Sequence, residues 1–238
     1  TNLGQVGWQT FESAFRGCSN MTSFTPGVTD TSSVTNMSRM FPGCIGLTSL
    51  DLSSFDTSSV TDMSVMFTSC VSLTSIDLSS FDNSSVTTMR HMFYNCPSLT
   101  SIDLSSFDTS SVTDMNNMFY NCSSITSLDV SNFDTSSVTQ MYQMFQYCNS
   151  LTDIIGIENF DIEALNVTYA LYNFLVSTTI PTSRYDALLI NWDAQDPFDN
   201  IGVAHFGNTQ YTAGGAAEAA RANLISTDGW TITDGGTA

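Results

Sequence analysis

The apolar residues of this chain recur at a fixed 26-residue interval, which is the spacing between Cys18 and Cys44. Counted from each cysteine as position zero, apolar side chains return at positions 3, 6, 8, 11, 16, 19, 22 and 23. Self-similarity at such a period is typical of repeat arrays, in which each repeat buries its apolar edge against its neighbours. The cysteines that mark the repeats are Cys18, Cys44, Cys70, Cys96, Cys122 and Cys148.

Each repeat divides into two halves with different hydrophobic periods. In the repeat that starts at Cys70, Ile76 and Leu78 alternate with polar residues, as a strand with one buried face requires. From Val86 to Cys96 the apolar spacing is three, three, one and three, which indicates one stripe of a helix. Ser59 precedes Asp62 by three residues, like a capping box at a helix start. The pattern therefore predicts a strand, a turn and a helix in every repeat.

The repeat resembles that of BspA-like leucine-rich-repeat surface proteins. The resemblance lies in L-T-S-[LI]-D-L-S-S-F-D-T-S-S-V-T-D-M-x-x-M-F-x-x-C and covers about residues 18–175. It implies an α/β leucine-rich-repeat solenoid of about six 26-residue strand–helix coils with amino- and carboxy-terminal caps. It also implies an exported or surface-anchored protein used in adhesion and recognition rather than catalysis.

The two ends depart from the repeat. Residues 7–18 read GWQTFESAFRGC, and we interpret residues 1–17 as a helical amino-terminal cap on a solenoid of residues 18–175. After Cys148 one extra residue shifts the phenylalanine to Phe160, and the next apolar stripe places Leu175 at the cysteine position.

Beyond that stripe, residues 176–238 predict an α/β carboxy-terminal cap. TSRYDALLINW and AGGAAEAARANLI have helical patterns, whereas GVAHF and GWTITDGG favour short strands.

The strongly negative net charge of the chain indicates which classes of partner it can bind. The chain has 23 acidic residues against five arginines and no lysine, a net charge of −18. Such a chain repels phosphate backbones, so nucleic acid is excluded as a partner. No apolar run approaches the roughly 18 residues of a membrane span. We expect a monomeric module, secreted or at the cell surface, whose partner is an extracellular protein or glycan.

A row of aspartates with flanking serines is expected to line the open face of the strands, which we predict to be concave. Aligned carboxylates favour a cationic or polyhydroxy ligand or calcium, although a merely solvated face remains open. A second row, which begins at Asp30 and Asp56, precedes Ser or Thr residues and predicts turns. The candidate ligand-binding residues are Ser49, Asp51, Ser53, Ser75, Asp77, Ser79, Ser101, Asp103, Ser105, Ser127, Asp129 and Ser131.

Comparison of the repeats shows at which positions the stacking of repeats does not determine the residue type. Variation concentrates at positions 20, 21, 24 and 25 of the repeat, which a helix would turn outward to a convex face. Tyr and Arg are frequent in interface hot spots, although drift without packing constraint would also produce variation. The candidate partner-binding residues are Arg90, His91, Tyr94, Tyr120, Tyr142 and Tyr147.

Threonines also form rows, at repeat positions 4 and 17, which leaves open an ice-binding protein as an alternative function. A structural spacer within a larger surface protein is a further alternative. The sequence contains no recognisable catalytic motif. Its only histidines are His91 and His205, and neither forms a known motif with a nucleophilic or acidic residue. We therefore predict that the protein is not an enzyme.

No cofactor is expected apart from calcium. The loop DAQDPFDN places Asp193, Asp196 and Asp199 close together, which makes them candidate calcium ligands. The cysteines are expected to be buried free thiols, because equivalent side chains in stacked repeats point the same way. A disulfide needs converging Cβ atoms about 3.5–4.5 Å apart.

Overall fold

The computed structural model describes residues 7–195 and 201–238, in which the repeats stack in parallel and equivalent residues of successive repeats lie side by side. Strand β1 (Ser23–Phe24) pairs with β2 (Ser49–Leu50), and β3 (Ser127–Asp129) pairs with β4 (Asp153–Ile155). A second line of contact runs along the repeats as single parallel bridges between Thr10, Asn36, Asp62, Thr88, Asp114 and Gln140.

The helix predicted in the second half of each repeat is wrong. Residues 63–70 form consecutive turns, and their backbone bonds to the next repeat: Met63 N–H donates to the Thr88 carbonyl and Phe67 N–H to the Met92 carbonyl. Val65 has φ 63° and Ser69 φ 58°, values that no α-helix contains. The apolar spacing suits these turns as well as a helix.

The two sequence features taken as helix signals have other roles. The Ser59 hydroxyl donates to the Ser32 carbonyl of the preceding repeat, and an Asp62 carboxylate oxygen accepts the Ser64 N–H. The helical amino-terminal cap is also wrong within residues 7–17. Its Phe11 and Phe15 N–H groups donate to Asn36 and Met40, as in later repeats.

The turn segments have a common backbone orientation. In the segment that follows Asn36, the N–H groups of Met37, Arg39, Phe41 and Gly43 all donate to the next repeat. The carbonyls of the preceding residues accept from the repeat before, so the peptide groups lie parallel along the stack.

The core is built from rows of identical side chains. Successive phenylalanines at the end of the turn segment stack with ring centroids 5.3–5.9 Å apart and interplanar angles of 3–12°. Each aromatic pair adds about 0.5–1.5 kcal/mol beyond the area it buries. The methionines of the same segments are fully buried beside them. The row of rings comprises Phe15, Phe41, Phe67, Phe93, Phe119 and Phe145.

All six cysteines are free thiols, as predicted, and all but Cys18 are buried. Each buried thiol donates to a phenylalanine carbonyl of the preceding repeat, as Cys96 does to Phe67 at 3.1 Å. Burial raises the pKa of Cys96 and of Cys148 to about 12. These thiols therefore fill space and stay protonated at neutral pH.

A row of buried threonines links each repeat to the next at the mid-repeat turn. The Thr57 hydroxyl donates to the Asp82 carbonyl at 3.0 Å and accepts the Asp82 N–H at 2.8 Å. In the next repeat this position holds Asn83, whose two amide atoms have no hydrogen-bond partner among the described residues. Thr31, Thr109 and Thr135 make the same pair of bonds as Thr57.

The carboxy-terminal part contains the predicted helices and strands. After the 3-10 helix Ile157–Asn159 come α1 (Thr182–Asp193), β5 (Val203–His205), α2 (Ala216–Ser226) and β6 (Thr231–Thr233). Strand β5 pairs in parallel with β6, and its residues accept bonds from the last turn segment.

Ion pairs fix these elements. The Arg184 guanidinium of α1 bonds Asp153 of β4 at 2.5 Å and Glu158 at 2.6 Å. Asp234, only 3% exposed, accepts bonds from Arg221 and from the Tyr185 hydroxyl. Pairs that remain largely out of water resist screening by salt.

Candidate functional site

The aspartate row predicted to bind ligand lies on the surface, where each carboxylate closes a turn. An Asp51 carboxylate oxygen accepts the Ser53 N–H at 3.1 Å and the Ser53 hydroxyl at 2.7 Å. These two bonds lower the pKa of Asp51, while the neighbouring Asp77 carboxylate has a smaller, opposing effect. The turns at Asp77, Asp103 and Asp129 bond Ser79, Ser105 and Ser131 in the same way through the backbone.

Shallow hollows lie between neighbouring members of this row. One, of about 260 Å³, is lined by Asp51, Ser53, Asp77 and Ser79 together with Leu50, Leu52 and Ser80. A second, of about 160 Å³, repeats the arrangement at Asp103, Ser105, Asp129 and Ser131. The flanking serines Ser49, Ser75, Ser101 and Ser127 are exposed on the same face.

The second aspartate row forms turns, as predicted. An Asp56 carboxylate oxygen accepts both the N–H and the hydroxyl of Ser58, at 3.1 and 2.6 Å. Asp30, Asp82, Asp108 and Asp134 bond the serine two residues on in the same manner.

Four of the six predicted partner-binding residues, His91, Tyr94, Tyr120 and Tyr147, form one line of ring contacts. The rings of Tyr94 and Tyr120 stack with centroids 4.5 Å apart, and Tyr147 meets Tyr120 edge-on at 5.4 Å. His91 lies edge-on to Tyr94 at 5.1 Å, and burial together with the adjacent Arg90 lowers its pKa to about 4. His91 is therefore neutral at physiological pH. We call Tyr94, Tyr120 and Tyr147 the tyrosine row.

Tyr142 lies apart from the tyrosine row, in a cavity of about 570 Å³. Its neighbours there include Tyr169 and Tyr172, whose side chains are 54% and 39% exposed. The sequence analysis named neither Tyr169 nor Tyr172 as a candidate partner-binding residue. The signal available in the sequence was the departure from the 26-residue interval after Cys148.

The threonine rows bond within the stack. The Thr87 hydroxyl donates to the Thr61 carbonyl of the preceding repeat at 3.1 Å, and Thr100 bonds Thr74 in the same way. These side chains remain exposed to solvent.

The candidate calcium loop is described only in part. Asp193 lies at the end of α1, where its carboxylate accepts a bond from Asn223. Asp196 and Asp199 lie outside the described residues. Within residues 7–195 and 201–238, no group of three or more His, Cys, Asp or Glu residues could hold a metal ion.

The described residues contain no helix that is both long and apolar enough to cross a bilayer. Parallel stacked repeats with a partly exposed aromatic row define the chain as a repeat protein. The profile of one family, described as "Mycoplasma protein of unknown function, DUF285", matches residues 9–102 and again residues 100–187. The chain therefore belongs to this family. No curated protein and no solved structure matched the chain.

Proposed function

We propose that this protein is a non-catalytic recognition module, secreted or held at the cell surface, that adheres to an extracellular protein or glycan. In this proposal the repeats form a BspA-like leucine-rich-repeat solenoid that acts as a monomer. The tyrosine row is the observation that carries the proposal.

The stack does not require these tyrosines. At the position of Tyr94 and Tyr120 the two preceding repeats carry Pro42 and Thr68, and those repeats keep the same backbone bonds to their neighbouring repeats. Tyr147 is 39% exposed, although burying a tyrosine is favourable. Rigid aromatic side chains offer large contact area at a small cost in conformational entropy. Their retention at the surface supports a partner that covers them.

The charge of the module supports the class of partner. With a net charge of −18, the protein attracts neutral or basic surfaces and repels polyanions. Arg90 lies close enough to His91 to lower the pKa of that residue, and it provides a positive, directional donor there.

A binding screen tests the proposal. The purified protein is applied to an array of extracellular proteins and glycans, and hits are measured by surface plasmon resonance. Replacing Tyr94, Tyr120 and Tyr147 with serine should weaken binding at least tenfold, because hot-spot aromatics contribute about 2 kcal/mol or more each. The matched control replaces Asp77 and Asp103 with asparagine on the aspartate face. If this control loses binding and the tyrosine variant does not, the aspartate face is the binding surface.

The two alternatives have separate readouts. Thermal hysteresis in a solution of the protein would favour ice binding through the threonine rows. If no ligand binds and no hysteresis appears, the structural spacer is favoured and recognition is rejected.

A further inference from the structure

Three extra residues interrupt the repeat register between Asn166 and Ala170. Thr139 N–H donates to the Thr113 carbonyl of the preceding repeat. In the next repeat the corresponding donor is Asn166 N–H, which bonds the Thr139 carbonyl. The 26-residue interval would place this donor at residue 165, so it lies one residue further along the chain. That shift reflects the one extra residue already present before Phe160.

A larger shift follows at once. Met115 N–H donates to the Gln140 carbonyl, and its equivalent in the next repeat, Met141 N–H, donates to the Ala170 carbonyl. Ala170 therefore stands where Gln140 stands one repeat earlier, although the register at Asn166 would place residue 167 there. The difference is an insertion of residues 167–169.

The register on either side of the insertion is unbroken, which corrects one sequence prediction. Gln143 and Phe145 donate to Tyr172 and Phe174, so stacking resumes directly after the insertion. The cysteine position falls on Thr178 rather than Leu175, because the Thr178 hydroxyl donates to the Phe145 carbonyl as each buried thiol donates to its phenylalanine. The insertion thus adds nothing to the stack itself.

The insertion forms one wall of the cavity of about 570 Å³. Ligand sites for small molecules occupy roughly 300–1,000 Å³. Tyr172 is one repeat beyond Tyr142, and its ring meets that of Tyr169 edge-on with centroids 5.9 Å apart. The complete lining is Gln140, Tyr142, Val167, Thr168, Tyr169 and Tyr172.

The backbone holds the insertion in a costly conformation. Tyr169 has φ 73°, outside the two positions that are left-handed in every other repeat. This region is unfavourable for a bulky residue, and such outliers cluster at functional sites. Tyr169 N–H donates to the Ile201 carbonyl at 2.6 Å, and Gly202 lies against Thr168 and Tyr169. The carboxy-terminal part therefore supports a loop that exposes Val167 and Tyr169.

The lining selects the class of ligand. None of the six side chains carries a charge, and Gln140 is oriented by a bond from its amide nitrogen to an Asp114 carboxylate oxygen at 3.1 Å. Without an arginine in the lining, an anion in this acidic protein lacks a counter-charge. Because no carboxylate lines the cavity, a cation that enters it would lose its hydration and gain only contacts with aromatic faces. Both charged classes of ligand are therefore disfavoured.

We propose that this cavity binds an uncharged saccharide. Tyrosine rings offer flat apolar faces to the C–H faces of a pyranose, and their hydroxyls, Gln140 and Thr168 supply hydrogen bonds to its hydroxyl groups. This inference rests on the proposed recognition function and assigns it a glycan site separate from the tyrosine row.

Isothermal titration of the intact protein tests the site with three probes: neutral hexose oligosaccharides of gluco, galacto and manno configuration, their sulfated forms, and tetramethylammonium. Binding of a neutral oligosaccharide is expected, with at least a tenfold loss in Tyr169→Ser and in a variant lacking residues 167–169. Ile190→Ser, at an exposed apolar residue of α1 outside both proposed sites, is the matched control and should bind the oligosaccharide normally. Circular dichroism establishes that each variant is folded, and deletion of the insertion should preserve the fold because it restores the common register.

Several results overturn the inference: no binding of neutral oligosaccharides, binding only of sulfated forms or of tetramethylammonium, or equal binding by Tyr169→Ser. If the array detects a partner that depends on Tyr94, Tyr120 and Tyr147 while the cavity binds no saccharide, this inference fails and the recognition function stands. If neither assay detects a partner, both fail.

Discussion

At the scale of single residues, Asn83 is the weak point in the row of buried threonines. Thr57 and Thr109 each exchange two bonds with the next repeat, while the Asn83 amide is buried without a partner among the described residues. An unsatisfied buried polar group costs about 1–3 kcal/mol. The repeats on either side of Asn83 should therefore be the least firmly joined at this turn.

Asn83→Thr is expected to raise the free energy of unfolding by about 1–3 kcal/mol, because the hydroxyl can replace the missing pair of bonds. Urea unfolding followed by circular dichroism measures the change. The matched control, Thr109→Asn, should lower stability by a similar amount. An unchanged midpoint for Asn83→Thr would mean that the amide is satisfied in solution.

Val65 is strained in a different way. It is left-handed, with φ 63°, at a position where other repeats carry Asn117 and Asn173. The left-handed region costs an L-residue about 1–2 kcal/mol, and it is least unfavourable for Gly and Asn.

Val65→Asn is expected to stabilise the protein by about 1 kcal/mol, since asparagine tolerates this conformation. The melting temperature should rise accordingly. Val65→Ala is the control, because it removes the branched side chain but retains a Cβ and most of the strain. Equal gains in both variants would assign the effect to side-chain crowding instead.

At the scale of elements, the aspartate turns replace much of the regular secondary structure. Hydrogen bonds from serine lower the pKa of Asp51, Asp77 and Asp129 below the ordinary value of 3.8. A carboxyl whose pKa falls on folding stabilises the fold above its unfolded pKa, and that stability is lost as the pH falls through the folded pKa.

The melting temperature should therefore fall once the pH drops below the ordinary aspartate pKa of 3.8. An earlier fall below about pH 6.5 is expected from His91, because its pKa is lowered to about 4 in the folded protein and unfolding lets it take up a proton. Differential scanning calorimetry across this range measures the effect. Ser53→Ala combined with Ser79→Ala should reduce the dependence, because the carboxylates then lose a bond that favours ionisation. A melting temperature that rises on acidification would mean that repulsion among the acidic residues dominates.

The sequence predicts the elements unequally. The 26-residue interval, the burial of its apolar positions, and helices α1 and α2 follow from the pattern. The turn segments do not, because a stripe spaced by three and four fits a helix equally well, and the deciding bonds go to the neighbouring repeat.

The candidate sites show the same limit. The contact between Tyr94 and Tyr120 follows from their equivalent positions in adjacent repeats. The grouping of Tyr142 with Tyr169 cannot be predicted in this way. The sequence pattern reveals the one extra residue before Phe160 but not the three that follow Asn166. Only the backbone bonds between repeats locate that insertion.

At the scale of the whole molecule, identical neighbours make the stack modular. Each repeat contacts mainly the repeats beside it, so stability approximates a sum over repeats and their interfaces. Deletion of one whole 26-residue interval brings two equivalent repeat surfaces together, so every remaining repeat still packs against a neighbour of the same kind.

Deletion of residues 79–104, one full interval, should give a folded protein with cooperative unfolding. The heat capacity of unfolding should fall by about 0.3–0.4 kcal/mol/K, in proportion to the length of chain removed. Calorimetry and circular dichroism measure both. Deletion of residues 79–91 breaks the register and should unfold the protein; if both deletions behave alike, the stacking register does not determine stability.

The parallel orientation of the peptide groups gives the stack a direction. In a β-sheet the dipoles of successive peptides largely cancel, whereas in the turn segments groups of about 3.5 debye each add along the stack, with the N–H end toward the carboxy terminus. Bonds outside the turn segments, such as that from Thr61 N–H to the Thr35 carbonyl, run the other way and offset part of this sum. Ile201 and His205 provide the carbonyls that close the N–H end, so the two caps of this protein are not interchangeable.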